Sequence, residues 1–221
     1  MEILIIGSHD NLAEAKQKFG VIHDYSHAEN YLLASAHRGK SEMVFDFLSE
    51  VDEADNGFYT EQNTQIVFLD ASTKSLKTLI AEKKIQHVVF GFCGLPTLLN
   101  RSSLEVCLRA KEDHQRLEKV CDALKTDFKV VKDHAGMVTP RIVCMIVNEA
   151  YYTFAESIAT REDIDMAMKL GTNYPHGPFE WCKRIGIGNV CKVLSAAHSE
   201  THDDRYLVCS LLSQEAMASQ K

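Results

Sequence analysis

Short, nearly continuous apolar runs punctuate the first half of the chain: Glu2-Ile-Leu-Ile-Ile-Gly7, Met43-Val-Phe-Asp-Phe-Leu48, Gln65-Ile-Val-Phe-Leu69 and His87-Val-Val-Phe-Gly-Phe92. A strand that is apolar on both faces is buried on both, the condition of a parallel sheet covered by helices. The polar stretches between the runs, such as residues 72–84, suit crossover helices. The pattern therefore predicts an α/β layer with right-handed connections. From Leu104 onward the strand signal mostly stops, apart from Phe128-Lys-Val-Val131, and helical spacing takes over. Residues 112–124 read as one helix. Residues 141–158 place Ile142, Val143, Met145, Ile146, Val147, Tyr151 and Phe154 on almost every face, which predicts a central buried helix or one facing another subunit.

Thr160-Arg-Glu-Asp163 has the form of a capping box and opens a helix that stops at Gly171. Pro178 sits where a first helical turn would start. Gly186 and Gly188 punctuate again, and residues 190–198 and 204–217 read as two last helices. No internal repeat or low-complexity linker is visible. The change of pattern predicts an α/β domain over 1–133 and a helical domain over 134–221.

At 221 residues, 45% hydrophobic and 25% charged, the chain has the composition of an ordinary globular protein that buries a real core. A net charge of −7 lacks the clustered Lys and Arg of a nucleic-acid surface. No apolar run reaches the roughly 18–20 residues of a membrane span. Seven cysteines without a C-x-x-C pair, and a Met1 that runs straight into an apolar strand, predict a reducing, cytoplasmic setting.

The most specific stretch is Asn173-Tyr-Pro-His-Gly-Pro-Phe-Glu180, followed by Trp181 and closed at Gly186. Together with Gly136-Met-Val-Thr-Pro-Arg141 and Val147-Asn-Glu-Ala-Tyr-Tyr152, it resembles the C-terminal domain of the 3-hydroxyacyl-CoA dehydrogenase family. The resemblance implies a truncated, Rossmann-like parallel sheet followed by an all-α domain of the 6-phosphogluconate/3-hydroxyacyl-CoA dehydrogenase C-terminal type. It also implies NAD as cofactor, an acyl-CoA ligand, a homodimer formed through the helical domain, and no metal. The family oxidises the hydroxyl of a 3-hydroxyacyl-CoA to a ketone. Within this resemblance Asn173, Pro175, Gly177, Pro178 and Trp181 form a rigid corner that either walls the substrate cleft or simply joins two helices.

The N-terminal half departs from the family at the positions that carry chemistry. A dinucleotide turn reads G-x-G-x-x-G after the first strand, but here Gly7 is followed by His9 and Leu12 at the second and third glycine positions. The acid that would meet the ribose has only Asp24 as a candidate, early for the end of a second strand. Gly91-Phe-Cys-Gly-Leu-Pro96 resembles the segment bearing the catalytic histidine, with Cys93 at that place. Glu105 matches the acid that orients the histidine. Lys74 falls on the serine that contacts substrate oxygen, where it is either a solvated lysine or a partner for a CoA phosphate. Pro140 falls on an asparagine and has no side-chain donor.

His23 and His27, and His198 and His202, have the i, i+4 spacing of two zinc ligands on a helical face, with Asp24 or Asp203 nearby; exposed histidines are the alternative. Two functional readings remain open. One is a dehydrogenase with a divergent cofactor site. The other is a catalytically impaired member that keeps acyl-CoA binding or dimerisation.

Overall fold

The apolar runs become strands of one sheet in the computed structural model, which describes residues 1–37, 39–50, 58–59, 65–85 and 87–219. The chain divides into two units, residues 1–137 and 138–221. In the first, the elements are β1 (Glu2–Ile6), α1 (His9–Phe19), β2 (Asp24–Ala28), α2 (Tyr31–Ala34), β3 (Met43–Asp46), β4 (Ile66–Asp70), α3 (Leu76–Lys83), β5 (Val88–Phe92), β6 (Ser103–Leu108), α4 (His114–Ala123) and β7 (Asp127–Val131).

The sheet runs β2-β1-β3-β4-β5-β6-β7. Its first five strands are parallel, as the apolar runs predict. β6 corrects that expectation: it lies antiparallel to β5, with Phe92 opposite Val106, and β7 runs parallel to β6. Strand alternation assigns the two faces. Ile3, Ile5, Phe45, Phe68, Phe90 and Phe92 pack with Ala15 and Phe19 of α1 and Leu117 and Val120 of α4. Phe45 and Phe68 stack there with ring centroids 4.5 Å apart. Each such ring, fully buried, contributes about 1.5–3 kcal/mol.

The second unit holds α5 (Thr139–Ala155), α6 (Arg161–Thr172), α7 (Pro178–Ile185), α8 (Ile187–Thr201) and α9 (Ser210–Ala218). Thr160 caps α6 as predicted, its side chain accepting the Asp163 N–H. Gly171 and Gly188, read as stops, lie inside α6 and α8. The stop of α6 is Asn173, held left-handed at φ 56°. Asn148 shows why a buried amide stands in α5: its Nδ2 donates to the Leu207 carbonyl at 2.8 Å and its Oδ1 accepts the Cys209 N–H at 2.8 Å. Among the described residues no helix is long and apolar enough to cross a membrane.

Candidate functional site

In an open α/β sheet, ligands bind beyond the carboxyl ends of the strands, where the order reverses. Here the chain passes from β1 to β2 on one side and returns to β3 on the other, so the crevice opens over Gly7. Beside Gly7 the chain makes its own polar contacts. Ser8 caps α1 by accepting the Asn11 N–H at 3.2 Å, and Asn11 Oδ1 accepts the Ser8 N–H at 2.8 Å. Two donors at the helix start are thereby satisfied internally. A Cβ on Gly7 would fall 2.6 Å from Asn11 Oδ1 and 3.1 Å from Phe47 Cβ. The Phe47 ring, 9% exposed, stands edge-on to Phe92 at 5.1 Å and reaches toward Gly94, where an added Cβ would meet it at 3.0 Å. Asp10 adds a carboxylate to the first turn of α1.

Asp24, the candidate for the ribose acid, opens β2 and so stands at its start rather than its end. The residue just past the end of β2 is Glu29, about 20 residues after Gly7, the spacing of a ribose-binding acid. Its carboxylate faces His9 Nε2 at 3.6 Å. His9 in turn packs on His27 at 4.5 Å, and His27 Nε2 lies 2.8 Å from the Gly7 carbonyl.

Cys93 follows β5 and is 3% exposed. Burial, and then the neighbouring Asp70 carboxylate, push its thiol well above the ordinary range. Ser72 Oγ is 3.8 Å from its sulfur. Glu105 lies in β6 one step beyond the Phe92–Val106 pair, so the structure brings it beside Cys93, 7% exposed, with Arg101 Nη1 at 3.8 Å. Lys74 turns to Glu82, Nζ to Oε2 2.9 Å. Pro140 belongs to the helical unit, in the first turn of α5.

Sequence reasoning missed the acids at and beyond the carboxyl ends of β3 and β4. Asp70 Oδ1 accepts the Ser72 and Gly94 N–H groups at 3.1 and 3.0 Å, and Glu50 accepts the Lys74 N–H at 3.1 Å and Thr73 Oγ1 at 2.5 Å. Asp46 is fully buried and accepts the Tyr31 hydroxyl at 2.7 Å, which Lys83 Nζ approaches at 3.1 Å. Burial, then Asp70, pushes Glu50 up to about 8; burial pushes Asp70 up to about 6.

The corner at 173–181 has a packing explanation. The Asp165 carboxylate caps α7, accepting the Phe179 and Glu180 N–H groups at 2.7 and 3.1 Å. A Cβ on Gly177 would fall 2.3 Å from Asp165 Cγ, so only glycine lets that carboxylate approach. Pro178 fits the first turn, where no N–H is needed. Trp181 stands edge-on to His176 at 4.8 Å, and Asn173 and Pro175 are exposed. Beside the corner, α5, α6 and α7 enclose a cavity of about 490 Å³, walled by Ile146, Ala150, Ile164, Ala167 and Met168 with Glu149 at its side.

Neither histidine pair makes a zinc face. His27 lies in β2 with His23 just before it, where four residues span about 13 Å. His202 is the left-handed cap of α8, and His198 faces Asp204 at 3.6 Å rather than Asp203. Among the described residues no three metal-ligating side chains are gathered together.

Residues 136–220 match the family model described as 3-hydroxyacyl-CoA dehydrogenase, C-terminal domain. A 3-hydroxybutyryl-CoA dehydrogenase of Clostridioides difficile is 36% identical over 180 residues, covering 80% of this chain and 61% of that protein. The 3-hydroxyadipyl-CoA dehydrogenase of Escherichia coli is 39% identical over 87 residues, 39% of this chain and 18% of that one. The chain thus spans less than two thirds of these curated relatives. Among solved structures, an (S)-3-hydroxybutyryl-CoA dehydrogenase from Ralstonia eutropha aligns over 99% of this chain and 94% of its own at TM-score 0.72 and 19% identity. FadB2 of M. tuberculosis aligns equally far at TM-score 0.74 and 15% identity. At such identities these two speak for the fold.

Proposed function

Because the chain belongs to the 3-hydroxyacyl-CoA dehydrogenase family, we propose that it is a member that has lost NAD-dependent hydride transfer and keeps its helical unit for self-association and acyl-CoA contact. The observation that supports this reading is the crowded turn: a Cβ on Gly7 would meet Asn11 Oδ1 at 2.6 Å and Phe47 Cβ at 3.1 Å, and Asn11 Oδ1 already takes the Ser8 N–H that a pyrophosphate would need. The residues present there do not fit that group, and Asp10 adds like charge beside it. The proton-transfer side is equally depleted. A thiol that burial keeps protonated stands where the family resemblance puts the base, and loss of a positioned base costs about 10² to 10⁴ in rate.

Self-association uses the groove between α5 and α6. Ile142, Met166 and Leu170 on the same two helices are 54%, 56% and 81% exposed, which extends the apolar face beyond the cavity walls. A homodimer in the cytoplasm, with no metal and no nucleic-acid partner, is the assembly this reading expects.

Titration with NADH, followed by its fluorescence, is expected to show no saturation at micromolar concentration, and acetoacetyl-CoA no NADH consumption. Saturable NADH binding would sink the proposal. Cys93→His alone is expected to stay inactive, since Pro140 and the Gly7 turn are unchanged. The second reading, an active dehydrogenase with a divergent site, is favoured by one observation, Glu29 at the end of β2; the same titration decides between the two.

A further inference from the structure

We propose that the cavity between α3 and the end of β6 is an anion site that takes a phosphomonoester carried on a neutral, apolar body. It encloses about 350 Å³ and is lined by Lys77 and Ile80 of α3, Leu108 at the end of β6, Arg109 just beyond it, and Asp133. Nothing in it depends on the crowded turn at Gly7 or on the loss of hydride transfer.

The charges decide the ligand. Lys77 and Arg109 come from different elements, and among the described residues neither side chain has an ion-pair partner. Asp133 is already engaged. Its Oδ1 accepts the Leu76 N–H at 2.6 Å and its Oδ2 the Lys77 N–H at 2.9 Å, so it serves as the anion at the start of α3. The Cys107 thiol lies beside the same carboxylate. Two cations therefore outnumber one committed carboxylate, and the cavity retains a net positive charge on a chain whose total is −7. A tetrahedral dianion offers enough oxygens to meet an ammonium and a guanidinium at once.

Volume and lining set the rest. The cavity lies at the lower end of small-molecule sites and is too large for a bare phosphate. Ile80 and Leu108, both partly buried, supply an apolar wall for the esterified group. Asp133 would repel a second negative group, so a monoester fits better than a di- or triphosphate.

The test uses the full chain in phosphate-free buffer, with calorimetric titration of phenyl phosphate, inorganic phosphate and phenol. Phenyl phosphate is expected to bind saturably at one site per chain, inorganic phosphate more weakly and phenol not at all. Lys77→Gln combined with Arg109→Gln is expected to weaken phenyl phosphate about tenfold or more, two exposed charge contacts being removed. Both side chains are exposed, and circular dichroism of the double variant checks that the fold is retained. Independently of any variant, added salt is expected to weaken phenyl phosphate binding to the native chain. Absence of saturable binding, phenol binding as well as phenyl phosphate, indifference to salt, or unchanged affinity in a folded double variant would each overturn the proposal.

Discussion

Replacing Glu50 with glutamine should remove much of a pH dependence built into the α/β unit. Glu50 holds the Thr73 and Lys74 N–H groups and the Thr73 hydroxyl, and shares its surroundings with Asp70. Burial first, and Asp70 second, raise Glu50 from 4.5 to about 8, and burial raises Asp70 from 3.8 to about 6. Both carboxyls thus hold a proton more tightly folded than unfolded. Their contribution to stability is complete below about pH 4 and is lost as pH rises through about 6 and then about 8. For Glu50 the climb sets a ceiling of about 5 kcal/mol, at about 1.36 kcal/mol per pH unit. Glu50 is only partly buried, and solvent screening brings a realistic figure to about 2 kcal/mol. That corresponds to roughly 5–10 °C in Tm for a unit of this size. Glutamine keeps an oxygen for the two N–H donors and an amide for the Thr73 hydroxyl, but carries no charge. Thermal unfolding followed by circular dichroism should show the native chain losing stability between about pH 5 and about pH 9, and Glu50→Gln losing markedly less. An equal loss in both proteins, or a native chain that gains stability as pH rises, would refute the reasoning.

Gly177→Ala places a methyl 2.3 Å from Asp165 Cγ and displaces the cap of α7, so it should cost about 3 kcal/mol in denaturant unfolding followed by Trp181 fluorescence. A loss below about 0.5 kcal/mol would show that the contact does not explain the glycine. Arg161 stands over the rings of Phe154, Phe179 and Tyr151 at 4.6, 5.0 and 5.3 Å and pairs with Glu215. Arg161→Met should cost about 1–2 kcal/mol in the same assay, with Arg161→Lys falling between, because lysine keeps the charge without the planar stack. Thiol titration of the native chain should leave Cys93 and Cys107 silent, since burial raises both, while Cys191 is the one cysteine not fully buried. Rapid labelling of Cys93 would contradict its placement.

The central strands were legible because burial on both faces leaves a continuous apolar run, which is how β1, β3, β4 and β5 announce themselves. β2 and β6 gave no such signal. Asp24-Tyr-Ser-His-Ala28 is an edge strand whose side chains are mostly only half covered, and β6 carries the buried acid Glu105 among its apolar residues. Helix ends were misread at Gly171 and Gly188 because a glycine inside a helix looks like a stop until the cap is seen, and the cap of α6 is an asparagine. At the site, the departures at His9 and Leu12 were visible. The groups that crowd Gly7 are Asn11 and Phe47, and only the fold brings Phe47 to that glycine. Glu29 escaped because the end of β2 could not be located without β2 itself.

A helix start that answers two of its own donors, as Ser8 and Asn11 do for α1, has less to gain from a visitor. Where such a start is left bare, each visitor adds to the folded population by mass action, and a cell short of it holds less intact protein. In this chain two donors of that first turn are met by its own residues whatever the nucleotide supply, so this part of the fold draws none of its firmness from a visitor.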